Sequence, residues 1–277
     1  MRYRIFFLVL VLPVLLIGQN KIELYGVAEQ GGLLIGKISP KIENVFFDYK
    51  KIEIHNNTFL LGFDREAKLH HILSIVFDNG SMRSFRFEIK KKDYDIQEIK
   101  MPKSKAKYFK PKPAETISRI NQEAENLRKA RKLIEGNSSF EFCFSSPIEN
   151  APISSKFGAQ RIINGKEKKP HLGLDLAAPK GTAVKAMNSG KIILTGDYYY
   201  NGKFVLIDHG LGLNSIYIHL SEIDVKIGDE IKTGDVIGKV GSTGISTGPH
   251  LHWGVRLNDV DIDPEVIPKM DNLFLSF

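Results

Sequence analysis

The chain has 277 residues, 42% apolar, 10% aromatic and 26% charged, a globular composition long enough for one large core or two small ones. It excludes a disordered chain, a collagen-like repeat and a polytopic membrane protein. A single cysteine, Cys143, excludes an internal disulfide and a thiolate zinc cluster, so any metal site must come from His, Asp and Glu. The net charge of +7 is unevenly spread: residues 1–136 carry 25 basic and 16 acidic side chains, and residues 137–277 carry 14 and 16. The basic excess belongs to the first half, where nine lysines between Lys90 and Lys112 read as a solvated linker. No nucleic-acid partner is expected.

In chain order, Arg2 and Arg4 precede thirteen apolar or proline residues at positions 5–17. A charged start and an apolar run shorter than the roughly 20 residues of a spanning helix have the shape of a secretory signal. Residues 1–19 are therefore expected to direct export to the periplasm or medium, with an uncleaved N-terminal membrane anchor as the alternative. Gln19 stands where a lipidated cysteine would be, which argues against a lipid anchor.

Over residues 20–100, runs such as Lys51-Ile52-Glu53-Ile54-His55 and Ser84-Phe85-Arg86-Phe87-Glu88-Ile89 alternate polar and apolar, broken by Asn56-Asn57 and Asn79-Gly80. That pattern predicts antiparallel strands in a small β-sandwich-like domain. Residues 101–139 form a basic linker, rich in lysine and proline and expected as an extended spacer, followed by one helix. Ile117, Ile120, Ala124, Leu127, Ala130 and Ile134 recur at spacings of three and four, and Gly136 is placed to end the helix. Such a helix is marginal alone and must dock on one of the two domains. Residues 140–277 are again strand-like, with a glycine-punctuated echo in Gly228-Asp229-Glu230-Ile231 and Gly234-Asp235-Val236-Ile237, and predict a second, almost all-β domain.

Five of the eight histidines, His171, His209, His219, His250 and His252, fall in this second domain. In His250-Leu251-His252-Trp253 the two imidazoles, two apart in a strand, share one face. Tyr217-Ile218-His219-Leu220 repeats the pattern and predicts Tyr217 and His219 on a common face. His171 and Asp175 bracket Gly173, so His171, Asp175 and one of His250 and His252 make a nitrogen and oxygen triad, the number of protein ligands that a catalytic zinc uses. This donor set suits zinc better than calcium or magnesium.

Ser155-Lys156-Phe157-Gly158, the stretch from His171 to Asp175, Ile207-Asp208-His209-Gly210, Tyr217-Ile218-His219-Leu220 and Gly244-Ile245-Ser246-Thr247-Gly248-Pro249-His250-Leu251-His252 occur in that order. Together they resemble the LytM/lysostaphin family of zinc endopeptidases, from Ser155 to about Pro264. The resemblance implies an antiparallel barrel-sandwich hybrid catalytic domain, zinc held by His171, Asp175 and His252, and His219 and His250 as catalytic histidines. It implies hydrolysis of peptidoglycan stem-peptide cross-links. Zinc would activate a water and polarise the scissile carbonyl, while the two histidines share the base and the transition-state stabiliser. All five positions are filled, which weighs against the alternative of a noncatalytic wall-binding module or amidase activator. A biotinyl or lipoyl carrier is excluded by the missing methionine-flanked acceptor lysine.

Other candidates carry less. His209 reads as structural, Arg161 as lining a substrate groove, Tyr217 as packing or bonding near the metal, and Cys143 as an inert small side chain. His55, His70 and His71 default to surface or core. The glycine-rich stretch 241–248 lacks a phosphate-loop lysine. Residues 20–139, as a domain preceding the catalytic one, are expected to cover the groove and hold the enzyme latent.

Overall fold

The computed structural model describes residues 21–39, 42–132 and 142–274. The expected signal or anchor, and the helix-ending Gly136, lie outside the described residues. The chain divides into two compact units, one ending at Lys92 and one beginning at Asp93.

The first unit is all β. One antiparallel sheet joins Lys21–Gly26, Leu33–Ser39 and Thr58–Gly62, and a second runs Lys50–Ile52, Ile42–Phe47, His70–Phe77, Met82–Glu88. Burial alternates along His70–Phe77, so Leu73, Ile75 and Phe77 share a core with Leu34, Phe59 and Leu61 of the other sheet. Two-residue turns with left-handed backbone, Asp48-Tyr49 and Asn56-Asn57, match the twist of the strands they join. His71 is buried, with Nδ1 at 2.7 Å from Asp48 Oδ2, whereas His70 is exposed.

The second unit is built on an eight-stranded antiparallel arrangement. Its path runs Glu230–Ile231, Gly190–Tyr198, Gly202–Asp208, Leu213–Leu220, His250–Leu257, Leu174–Ala177, Ile153–Ser155, with Val260–Ile262 beside His250–Leu257. A smaller sheet joins Ala183–Lys185, Val236–Lys239 and Glu222–Ile223. The sheets stay open, and no closed barrel occurs among the described residues. Gly202–Asp208 and Leu213–Leu220 are buried almost throughout, as strands covered on both faces must be, which explains the unbroken run Phe204-Val205-Leu206-Ile207.

The amphipathic helix, Ala114–Lys132, docks on this second unit. Ala130 is buried with Phe204, Leu206 and Ile216, and Leu127 packs beside them. Glu123 Oε2 accepts from the Tyr199 amide at 2.8 Å and Arg119 donates to Asp197 O at 3.0 Å. Within the stretch expected as an extended spacer, Lys103–Phe109 is a 3-10 helix. Just before that stretch, Ile96–Ile99 is a strand that pairs in parallel with Gln160–Ile163. Pro264–Val266 and the short helix Ile267–Phe274 close the unit, with Val266, Ile267 and Met270 buried.

Candidate metal centre and active site

Strand register assembles the centre. Asp175 lies opposite His252 and Ala177 opposite His250, while Ile218 of the neighbouring strand also faces His252. Partners across a ladder share a face, so Asp175, His250 and His252 project together, and Leu251 and Trp253 fill the core on the other side. His171 is brought in by the preceding loop, whose backbone is pinned from His171 O to Gly158 N at 2.7 Å and from His171 N to Ala159 O at 2.9 Å.

Three donor atoms converge. His171 Nε2 lies 3.0 Å from Asp175 Oδ1, His252 Nδ1 lies 2.7 Å from the same oxygen, and the two nitrogens are 2.9 Å apart. The protonation states suit a metal. Burial pushes the His171 imidazole down to about 4, against the opposing effect of Asp175. Burial alone would raise the Asp175 carboxyl, but bonds to His171 and His252 more than offset it and hold the group well below the usual carboxylate range. Near neutral pH the centre thus offers a neutral imidazole and an anionic carboxylate, as metal ligation requires. His171 Nδ1 lies 2.9 Å from both Lys156 O and Ser155 Oγ, and donation from Nδ1 leaves the lone pair on Nε2. Arg161 donates to Asp175 Oδ2 at 2.7 Å, which leaves Oδ1 for a metal. Arg161, expected along a groove, braces Asp175. The residues fit a divalent ion of nitrogen and oxygen preference.

The remaining two histidines flank this triad. His250 Nδ1 lies 2.9 Å from Gly248 O, and its Nε2 is 3.9 Å from Asp175 Oδ1. His219 Nδ1 donates to Thr243 O at 2.9 Å, and its ring centroid is 5.0 Å from that of His250. Burial first, then the charges of His250 and His252, push His219 down to about 3.

His219 reaches this face by breaking the strand alternation. Tyr217 pairs with Trp253 and therefore faces away from His252. Simple alternation would send His219 after it. The backbone at His219 instead adopts φ 67°, where the ladder to the neighbouring strand shifts register, and such a bulge re-aims one side chain. The expected common face of Tyr217 and His219 is thereby corrected. Tyr217 is fully buried, accepts from the Met187 amide at 2.9 Å and bonds Ser215 at 3.0 Å. His209 belongs to the same internal network: it is fully buried, with Nδ1 donating to Ser189 O at 2.8 Å and Nε2 2.7 Å from Ser215 Oγ. Burial pushes it down to about 4, and it does not touch the triad. Cys143 is exposed.

A cleft of about 380 Å³ opens over the centre. Its lining includes Asp175 and His250, together with Gln97, Glu98, Thr247 and Pro249. Gly173 packs against the metal-facing ring so closely that a Cβ there would lie 2.6 Å from His252 Nε2. Gly173→Ala is expected to displace His252 and weaken metal binding by at least tenfold, as read by competition with a chromophoric chelator. Unchanged affinity would contradict the packing. Ser155, Gln97 and the carbonyl of Lys156 carry no catalytic signature of their own, and only the motif containing Ser155 and Lys156 pointed to their neighbourhood.

The family model for peptidase family M23 matches residues 169–264. Over 87% of this chain and 95% of the other, the fold superposes on the crystal structure of a peptidase M23 from Pseudomonas aeruginosa with 30% identity and a TM-score of 0.66. The chain belongs to peptidase family M23. The chain is 41% identical over 118 residues to the DD-carboxypeptidase/endopeptidase Mpg of Neisseria meningitidis, covering 43% of this chain and 27% of that protein. It is 42% identical over 102 residues to the peptidoglycan DD-endopeptidase ShyA of Vibrio cholerae, covering 36% and 24%. The chain thus matches about a quarter of the length of these two curated relatives.

Proposed function

We propose that this protein is a zinc endopeptidase that hydrolyses the peptide cross-links of bacterial peptidoglycan, acting in the periplasm or outside the cell. The observation that carries this reading is the convergence of His171 Nε2, Asp175 Oδ1 and His252 Nδ1 beside His219 and His250, with Asp175 and His250 lining a cleft. Similarity to proteins named for DD-endopeptidase activity supports the substrate class.

Zinc held by His171, Asp175 and His252 would supply a Lewis acid for the scissile carbonyl and lower the pKa of a water towards 7. Among the protein's own groups, His219 and His250 each tie Nδ1 to a backbone carbonyl, leaving Nε2 as the proton acceptor. One takes the proton of the attacking water. The pair then stabilises the charge that develops on the carbonyl oxygen and returns a proton to the leaving amine. Arg161 keeps Asp175 oriented, and no HExxH glutamate is required.

The full chain incubated with purified cross-linked peptidoglycan is expected to convert dimeric muropeptides into monomers, to stop when the metal is chelated and to resume when zinc is restored. Undiminished cleavage in the metal-depleted protein, or intact dimers with zinc present, would overturn the reading.

A further inference from the structure

The segment before the helix lies outside every motif that carries the family resemblance, yet it is built into the active centre. Its strand Ile96–Ile99 pairs with Gln160–Ile163, and the pairing is extended by Gln160 N to Asp95 O at 2.8 Å and Asn164 N to Ile99 O at 3.0 Å. Tyr94 packs edge-on to Phe157, 6.3 Å between centroids, and lies over Gly158. At Gly158 the backbone has φ 78° and a Cβ would sit 2.0 Å from the Tyr94 ring, so the glycine of Ser155-Lys156-Phe157-Gly158 is required by both conformation and contact. Further along, Lys105 Nζ donates to Ser242 O at 3.0 Å and Gly244 O at 2.9 Å. Those carbonyls flank Thr243, whose own carbonyl holds His219.

Between these anchors sits Gln97. Its Oε1 accepts from Ser155 Oγ at 2.7 Å, and its Nε2 is 3.4 Å from Ser154 O, so both ends of the amide are assigned. Ser155 Oγ in turn lies 2.9 Å from His171 Nδ1. A serine hydroxyl has one proton. If Ser155 donates it to Gln97, it can only accept from His171 Nδ1–H, and that tautomer keeps the Nε2 lone pair facing Asp175. Were Gln97 absent, the hydroxyl could turn and donate to Nδ1, favouring a proton on Nε2, the form that cannot bind a metal. Lys156 O opposes this change, so the loss is partial rather than complete.

We infer that Gln97 is a positioning residue of the metal centre, acting on His171 through Ser155, on a strand that lines the cleft. This inference rests on the assignment of His171 as a zinc ligand. It runs opposite to the expectation that this stretch holds the enzyme latent, because a supporting strand strengthens metal binding whereas an occluding one only blocks the cleft.

The test measures the zinc dissociation constant of the full chain, without substrate, by competition with a chromophoric chelator. Parent, Gln97→Met, Ser155→Ala and the double variant are compared, each with its melting temperature. Direct outer-shell partners are worth roughly 10–100-fold in metal affinity, and one step further out Gln97→Met is expected to weaken zinc about 3–10-fold. The double variant is expected to match Ser155→Ala alone, since both changes break one relay. A folded Gln97→Met variant that binds zinc within about twofold of the parent would overturn the inference. So would effects that multiply in the double variant, or faster peptidoglycan cleavage at unchanged zinc affinity. Because zinc binding is read without substrate, failure of the endopeptidase reading would leave this result standing.

Discussion

Asp175→Ala is expected to lose the metal and the activity together. Asp175 Oδ1 is within 3.0 Å of His171 Nε2 and His252 Nδ1, so its removal takes away one of the three proposed protein ligands, the anionic one among them. Loss of an outer-shell partner costs roughly 10–100-fold in affinity, and loss of a ligand should exceed that. A second consequence distinguishes this site from an ordinary surface carboxylate. Arg161, mostly buried, would lose the partner at 2.7 Å from its guanidinium, and stranding a buried charge typically costs about 3 kcal/mol or more. The variant should therefore melt lower than the parent even when both are metal-free. Asp175→Asn, which keeps the volume and an oxygen for Arg161, should recover most of that stability while zinc affinity stays low. Stoichiometric zinc in a folded Asp175→Ala protein would refute the ligand assignment.

His219→Ala is expected to separate binding from chemistry. His219 is not among the three convergent donors and bonds to Thr243 O rather than to Asp175, so zinc affinity should remain within a few-fold of the parent. Turnover should fall by roughly 100- to 10,000-fold, the usual worth of a positioned acid or base. The left-handed backbone at His219 is a cost that alanine carries as histidine does, so the change adds little strain. His219→Asn, better suited to that conformation, offers a control in which strain is relieved and the proton acceptor is still missing. Both variants should bind zinc and turn over slowly. Recovery of turnover in His219→Asn alone would assign the loss to backbone strain instead of to the imidazole.

The parts of the centre that follow local periodicity could be read from the sequence. His250 and His252 share a face because a strand alternates with period two, and five ordered motifs pointed to the rest. What local pattern cannot express is register and irregularity. Nothing in the spacing of Asp175 and His252 announces that they sit opposite one another. His219 faces the centre only because its backbone leaves the strand conformation, so regular alternation placed it with Tyr217 on the wrong side. The stretch from Lys90 to Lys112 read as a solvated linker because of its nine lysines, yet within it Ile96–Ile99 gains a parallel ladder to Gln160–Ile163 about sixty residues away. Long-range pairing of that kind overrides local preference. The start of the helix at Ala114 was legible, since its three-and-four spacing is a property of the helix itself, and only its docking face on Phe204, Leu206 and Ile216 required the fold.

The proposed roles give zinc to His171, Asp175 and His252 and the cutting of peptide cross-links to His219 and His250 beside it. The most direct measurement reads bound metal and muropeptide products from the same samples of parent, Asp175→Ala and His219→Ala protein. One zinc per chain with conversion of dimers to monomers in the parent, zinc without conversion in His219→Ala, and neither in Asp175→Ala would bear the claim out. Conversion of dimers by the zinc-free Asp175→Ala protein would contradict it.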